Sequence, residues 1–349
     1  MTDRARVEAF FDRFVGMTAG AAALGILAVA DRCGLLAWLG EHDGGTAAEI
    51  AAGANLDQRY TTEILAGLTA AGVLDHEAGV FTLPPEHALF VSDSSSPYYM
   101  GGWFDMLPAG YAVIDRVAEA ARHGGGVRFD EFGPEMLRGL DRANGPSQRI
   151  LLTRKWLPAV EGLVKRLEEG IDVADVGCGT GTAALTMAQA YPNSRFTGFD
   201  VSEEALAMAR ERGEDLENVE FARAAATEFP GEYDLITTFD VVHDMPRPRP
   251  ALAEIKRALT PGGVYFVLEF NFYGDLQRNI DHPLGIGAFG YSASCTYCMT
   301  QALAVGGEGT GTCMGEEKMR SMAEEAGFSQ FRRLDFPQNA FNLFYELRV

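Results

Sequence analysis

Two kinds of hydrophobic periodicity divide this chain of 349 residues. In its first third the apolar positions recur at helical spacing. Ala22, Leu24, Leu27 and Val29 mark one helix; Thr46 and Glu49 have capping-box spacing ahead of Ile50; and Asn55-Leu56-Asp57 opens a helix carrying Tyr60, Ile64, Leu65 and Leu68. Gly72-Val73-Leu74 and Gly79-Val80-Phe81-Thr82-Leu83 then read as two short strands, closed by Pro84-Pro85. From residue 171 onward short β-branched runs alternate with helical ones. The strands are Ile171 to Val176, Ser194 to Asp200, Val219 to Ala222, Tyr233 to Phe239 and Val264 to Phe270, with helices such as Thr182 to Ala190 between them. That alternation predicts an α/β fold with a doubly wound parallel sheet.

Between these regions, residues 96–170 form a helical connection. Gly124-Gly125-Gly126 and Asn144-Gly145-Pro146 are expected loops, and a helical pattern from Ser147 runs through Trp156 to Leu163. Tyr98 to Met106 is dense in aromatics and sulfur, so Trp103 and Phe104 are candidates for an acceptor pocket, with an ordinary core role as the competing reading. The expected domains are 1–95, 96–170 and 171–349, the last with an insertion over 271–315.

Composition narrows the function. With 47% apolar and 22% charged residues, the chain can bury a full core. Its net charge of −20 argues against nucleic acid or an anionic membrane as a partner. The first 95 residues hold five Arg and no Lys against thirteen Asp and Glu, and the helix placed to read DNA has Arg59 beside Asp57 and Glu63. The five Cys show no disulfide framework and point to a reducing cytoplasm. Gly20 to Ala30 is superficially like a signal peptide, but Asp3, Glu8 and Asp12 interrupt the basic region before it. No run reaches about 18 uninterrupted apolar residues, so no membrane span is expected.

Candidate chemistry gathers at strand ends. Asp175-Val-Gly177-Cys-Gly179-Thr-Gly181 joins a strand to a helix, where glycines let a ligand lie on bare backbone. The spacing is G-x-G-x-G with Thr182 next, rather than a dinucleotide fingerprint, and Asp175 would repel a pyrophosphate while suiting an ammonium group. Asp200 ends the second strand, 23 residues after Gly177, where an acid can accept from ribose hydroxyls. Asp240 and His243 follow the fourth strand, and Glu269 ends the fifth.

On these residues the chain resembles the class I S-adenosylmethionine-dependent methyltransferases, and its acidic N-terminal module resembles the winged-helix domain of plant and actinobacterial small-molecule methyltransferases. The resemblance implies a Rossmann-like sheet, S-adenosylmethionine as cofactor, and a homodimer built on the N-terminal domain. It places the cofactor at Asp175, Gly177, Gly179, Gly181, Asp200, Val201, Ala226 and Asp240. The family often has Asp where Ala225 stands. His243 matches the general base of plant O-methyltransferases and Glu269 its orienting acid; a second Glu of that family has no counterpart around Thr310 to Met314.

The insertion stands where related enzymes carry an acceptor cap, making Tyr297 a third acceptor-contact candidate. It also resembles bacterial α-keto-acid C-methyltransferases, some of which hold a metal through His243's counterpart and a second His. Tyr297 stands at that second His, so a bound metal is not expected; His243, Cys295 and Cys298 are the weak candidate ligands. Three readings stay open: oxygen methylation of an aromatic or polyketide-like acceptor, carbon methylation of an arylpyruvate-like keto acid, and a non-catalytic cofactor-binding regulator.

Overall fold

Asp3 starts the first helix, its carboxylate accepting from the amides of Ala5 and Arg6, which have no partner within the helix. The helix runs over Arg4–Arg32, far beyond the apolar stretch that marks it in the sequence. It is by length and composition apolar enough to cross a membrane, with a mean hydropathy of 1.7 in its richest window. In this computed structural model, which describes residues 2–336 and 339–349, the chain divides into two units: residues 1–108 with 138–147, and residues 109–137 with 148–349. The region expected as a separate connection is thus shared out between them.

In the first unit the capping box at Thr46 and Glu49 is present, and Asp57 caps the helix Gln58–Ala70. Two strands form a small hairpin, β1 (Asp75–Glu77) and β2 (Val80–Thr82). The first strand lies beyond the expected Val73-Leu74, because Leu74 is drawn into the core with Leu36, Ile50, Leu65 and Leu68. Phe104 joins that same core, and its ring takes the core role rather than that of a pocket wall. The expected loop at Asn144-Gly145-Pro146 is instead inside the helix Pro134–Leu151, where Gly145 and Pro146 are buried. Tertiary packing overrides the local signal there. Arg142 on this helix is gripped by Asp31, Asp105 and Tyr99.

The second unit is built on seven strands: β3 (Asp172–Val176), β4 (Arg195–Asp200), β5 (Val219–Arg223), β6 (Tyr233–Phe239), β7 (Leu259–Phe270), β8 (Gln330–Leu334) and β9 (Asn342–Arg348). Their order is β5-β4-β3-β6-β7-β9-β8, parallel except for β9, which runs against both β7 and β8. Each central strand feeds both faces. Ala174, Ile236, Tyr265 and Val267 pack on one side, and Val173, Leu235, Val264 and Phe266 on the other, which is why these runs read as continuously apolar. β7 starts at Leu259, so Pro261-Gly262-Gly263 lies within it rather than before it. A register shift opposite Tyr233 to Leu235 and the left-handed Gly262 absorb the irregularity. The chain moves outward from β3 to β5 and then returns to β6, so the strand order reverses between β3 and β6. Open α/β sheets bind ligands at the carboxyl ends of strands beside such a reversal.

Candidate active site

The turn after β3 is held open by its glycines. Gly177, Gly179 and Gly181 all have left-handed φ angles of 75°, 54° and 81°, which L side chains adopt only with strain. A Cβ on Gly177 would strike Val241 and one on Gly181 would strike Phe221, whereas one on Gly179 would enter open space. The first and third glycines therefore serve packing, and the middle one faces the space a ligand would fill.

Two carboxylates flank this turn. Asp175 is buried between β4 and β6; Thr237 donates to its Oδ1 at 2.8 Å, while Oδ2 is sealed from solvent without a hydrogen-bond partner. Burial pushes its carboxyl up to about 7, with the charge of Asp200 adding to the effect and Thr237 opposing it. Asp200 closes β4 and accepts from the amides of Gly179 at 2.9 Å and Ser202 at 2.8 Å. Burial raises it too, against the pull of those amides. An orphaned, desolvated carboxylate oxygen beside an open glycine loop suits a cationic ligand and disfavours a phosphate. Val201 and Ala226 stand at the ends of the neighbouring β4 and β5, Val201 exposed and Ala226 half-buried.

Beyond β6 the backbone tightens. Asp240 has a φ of 55°, unusual for a residue with a side chain, and Asn342 of β9 donates to both of its carboxylate oxygens, at 3.0 and 3.2 Å. Burial and the neighbouring Glu269 hold the Asp240 carboxyl well above its usual range. A short turn, Val242–Asp244, then carries His243, which is 1% exposed.

Glu269, second from the end of β7, reaches this turn with both oxygens. One accepts from the Val242 amide at 2.7 Å, the other lies 2.6 Å from His243 Nδ1. An ionised carboxylate only accepts, so Nδ1 carries a proton. Nε2 lies 3.2 Å from Asp244 Oδ1. Burial works against charging His243, but Asp244 and Glu269 outweigh it and raise its pKa well above the ordinary imidazole value.

The insertion closes over the same turn. Gly311 donates its amide to the His243 carbonyl at 3.0 Å, and Glu308 donates to that of Pro246. Tyr297 is buried edge-on against Phe132, and its hydroxyl is raised by burial and by Asp244. Cys298 is buried and accepts from Thr312 Oγ1 at 3.0 Å; burial, with Asp244 adding, pushes its thiol up to about 12. Cys295 is exposed and stands outside this group. Trp103 belongs to the first unit, as does Phe104.

The family description "methyltransferase domain" matches residues 167–327, and "Rv2258c-like winged HTH domain" matches residues 20–93. The chain carries a methyltransferase domain behind a winged helix-turn-helix domain.

Two relatives each match about half of the chain. An uncharacterized 37.1 kDa protein in transposon Tn4556 of Streptomyces fradiae is 31% identical over 164 residues, 46% of each chain. A demethylmenaquinone methyltransferase of Staphylococcus aureus is 29% identical over 182 residues, 49% of this chain and 73% of that one. The match thus spans less than half the length of the first relative. Human N-acetylserotonin methyltransferase, solved in complex with SAM, superposes with a TM-score of 0.70 at 20% identity, covering 99% of this chain and 98% of that one. The likeness of fold therefore extends through both domains.

Sequence reasoning missed Thr237, Asn342 and Thr312, which hold Asp175, Asp240 and Cys298. Thr237 and Asn342 come from distant segments that the strand order brings in, and Thr312 from a loop of the insertion fourteen residues after Cys298.

Proposed function

We propose that this protein transfers a methyl group from S-adenosylmethionine to an oxygen of a small aromatic or polyketide-like acceptor. The ammonium of the cofactor lies against the unpartnered oxygen of Asp175, its methionine portion along the glycine turn at Gly179, and its ribose hydroxyls on Asp200. Val201, Ala226 and Asp240 border the same crevice. The observation that carries the catalytic part is the 2.6 Å contact between His243 Nδ1 and Glu269. It keeps a proton on Nδ1, so in the neutral imidazole Nε2 is the nitrogen that takes the acceptor's proton.

The step balances without a further reactant. The acceptor oxygen forms a bond to the methyl carbon, the carbon–sulfur bond breaks with its electron pair going to sulfur, and the hydroxyl proton passes to His243. The carboxylates of Glu269 and Asp244 stabilise the imidazolium that forms, as an orienting acid does in other histidine-based sites. Tyr297 packs beside Asp244 and Cys298 as a wall of the acceptor side.

The protein works as a homodimer in a reducing cytoplasm. Phe10, Phe11, Phe14, Val15 and Met17 of the first helix are all exposed, a contiguous apolar surface suited to a second copy. The acidic first unit leaves duplex DNA unbound.

Transfer of isotopically labelled methyl from the cofactor to a panel of phenols and α-keto acids tests the reading. Label in an ether product supports it. Label on the α-carbon of a keto acid would replace oxygen by carbon as the target, and cofactor binding with no transfer to any member would favour a regulator.

A further inference from the structure

Asp240 is a costly residue where it stands. Its φ of 55° lies in the left-handed region, which glycine would occupy without strain and asparagine without adding charge. Its carboxylate brings a further negative charge beside those of Glu269 and Asp244 in a desolvated turn. Elsewhere buried acids are matched by arginines: Arg32, Arg138 and Arg142 surround Asp105, and Arg332 and Arg348 hold Glu346. Asp240 is held by the neutral side-chain amide of Asn342 instead.

The neighbouring strands fix where this charge acts. Asp175 of β3 pairs with Thr237 of β6, and a Cβ on Gly177 would strike Val241, so the chain around Asp240 lies against the glycine turn. His243 follows three residues later. A methyl group that leaves a cofactor on the glycine turn for an oxygen beside His243 therefore passes this carboxylate. The acids across the crevice are likewise served by neutral donors. Backbone amides reach Asp200, and Asp175, 2% exposed, has Thr237 on one oxygen while the other is sealed without a partner. Carboxylates desolvated in this way favour a ligand that brings positive charge.

We propose that Asp240 is the counter-charge of the cofactor's sulfonium, and that it makes the crevice select the charged methyl donor over the neutral thioether left after transfer. The inference rests on the cofactor placement given under the proposed function. A carboxylate beside a sulfonium attracts it in a low-dielectric crevice, and the attraction vanishes with the product because a thioether carries no charge. During transfer the positive charge leaves sulfur and reappears on the imidazole of His243, which Glu269 and Asp244 face. The product then leaves the site more easily than the donor does.

Calorimetry of the full-length protein with three ligands tests this: S-adenosylmethionine, S-adenosylhomocysteine, and sinefungin, which carries a protonated amine in place of the methylated sulfur's charge. The two cationic ligands should bind at least about tenfold tighter than the thioether, a comparison that needs no variant. Asp240→Asn tolerates the left-handed backbone and keeps an oxygen for Asn342 to donate to; it should bring the three ligands to within about twofold of one another, with affinity for the thioether little changed. Asp200→Ala should instead weaken all three by one common factor, since each carries the same ribose. A thioether that binds wild type as tightly as the sulfonium, or a preference that survives Asp240→Asn, would overturn the proposal and leave the cofactor assignment standing. Binding of none of the three would remove both.

Discussion

Asn342, at the start of β9, donates its side-chain amide to both carboxylate oxygens of Asp240, the residue whose left-handed backbone turns the chain from β6 toward His243. The contact ties the antiparallel strand to the turn that carries His243 and supplies a donor to a carboxylate that is otherwise desolvated. Asn342→Ala should therefore cost about 1–3 kcal/mol, the range for orphaning a buried polar group. Chemical denaturation of the variant and wild type checks this, and an unchanged midpoint would mean that water replaces the amide freely.

Asp175 gives the protein a pH dependence with a definite sign. Its carboxyl ionises near 7 when folded and near the ordinary 3.8 when unfolded. Between those values the folded chain holds a proton that the unfolded chain has lost. This group's contribution to stability is thus complete below about pH 4 and is lost as pH rises through about 7. Ligand binding runs the other way, because the ammonium favours the ionised form. Affinity for S-adenosylmethionine should be level above about pH 7 and fall by up to tenfold per unit below it. Asp175→Asn should bind weakly at every pH, and calorimetry across the range compares the two.

The proposed function assigns His243 and Glu269 to the chemical step rather than to cofactor capture. His243→Ala should reduce turnover by roughly 10² to 10⁴ with cofactor affinity nearly unchanged, the loss expected for a general base. Steady-state kinetics on an accepted substrate, paired with calorimetry, separates the two effects. A parallel loss of cofactor binding would mean that the turn after β6 shapes the cofactor crevice instead.

The exposed aromatic residues of the first helix make the assembly testable with the whole chain. Phe11→Asp combined with Phe14→Asp should shift the protein from dimer to monomer in analytical ultracentrifugation, since a charged residue cannot be buried in an apolar interface without a partner. A wild-type protein that is already monomeric would remove the need for that interface.

Much of the second unit was legible because its signals are local. β6 and the helix Thr182–Ala190 end where their patterns end. Asp175, Asp200, Asp240 and His243 all sit at carboxyl ends of adjacent parallel strands, so reading each strand's last residues was enough to collect them. Signals carried by packing were not legible. Pro146 reads as a breaker but lies in a helix whose buried residues decide its conformation, and Phe104 reads as a pocket aromatic but fills a core. Thr237 and Asn342 meet their partners from strands far away in sequence and Thr312 from a loop of the insertion, and short side chains of these types carry no spacing signature. Asp244 was read only as the neighbour of His243; its approach to Cys298 depends on how the insertion folds back over the turn.

The most direct measurement is isothermal calorimetry of S-adenosylmethionine and its demethylated product with the intact protein and with Asp200→Ala. The account predicts one site per chain at micromolar affinity, weakened at least tenfold in the variant through loss of charge-assisted hydrogen bonds to the ribose. No heat with either ligand, together with clear binding of a nicotinamide dinucleotide, would contradict it.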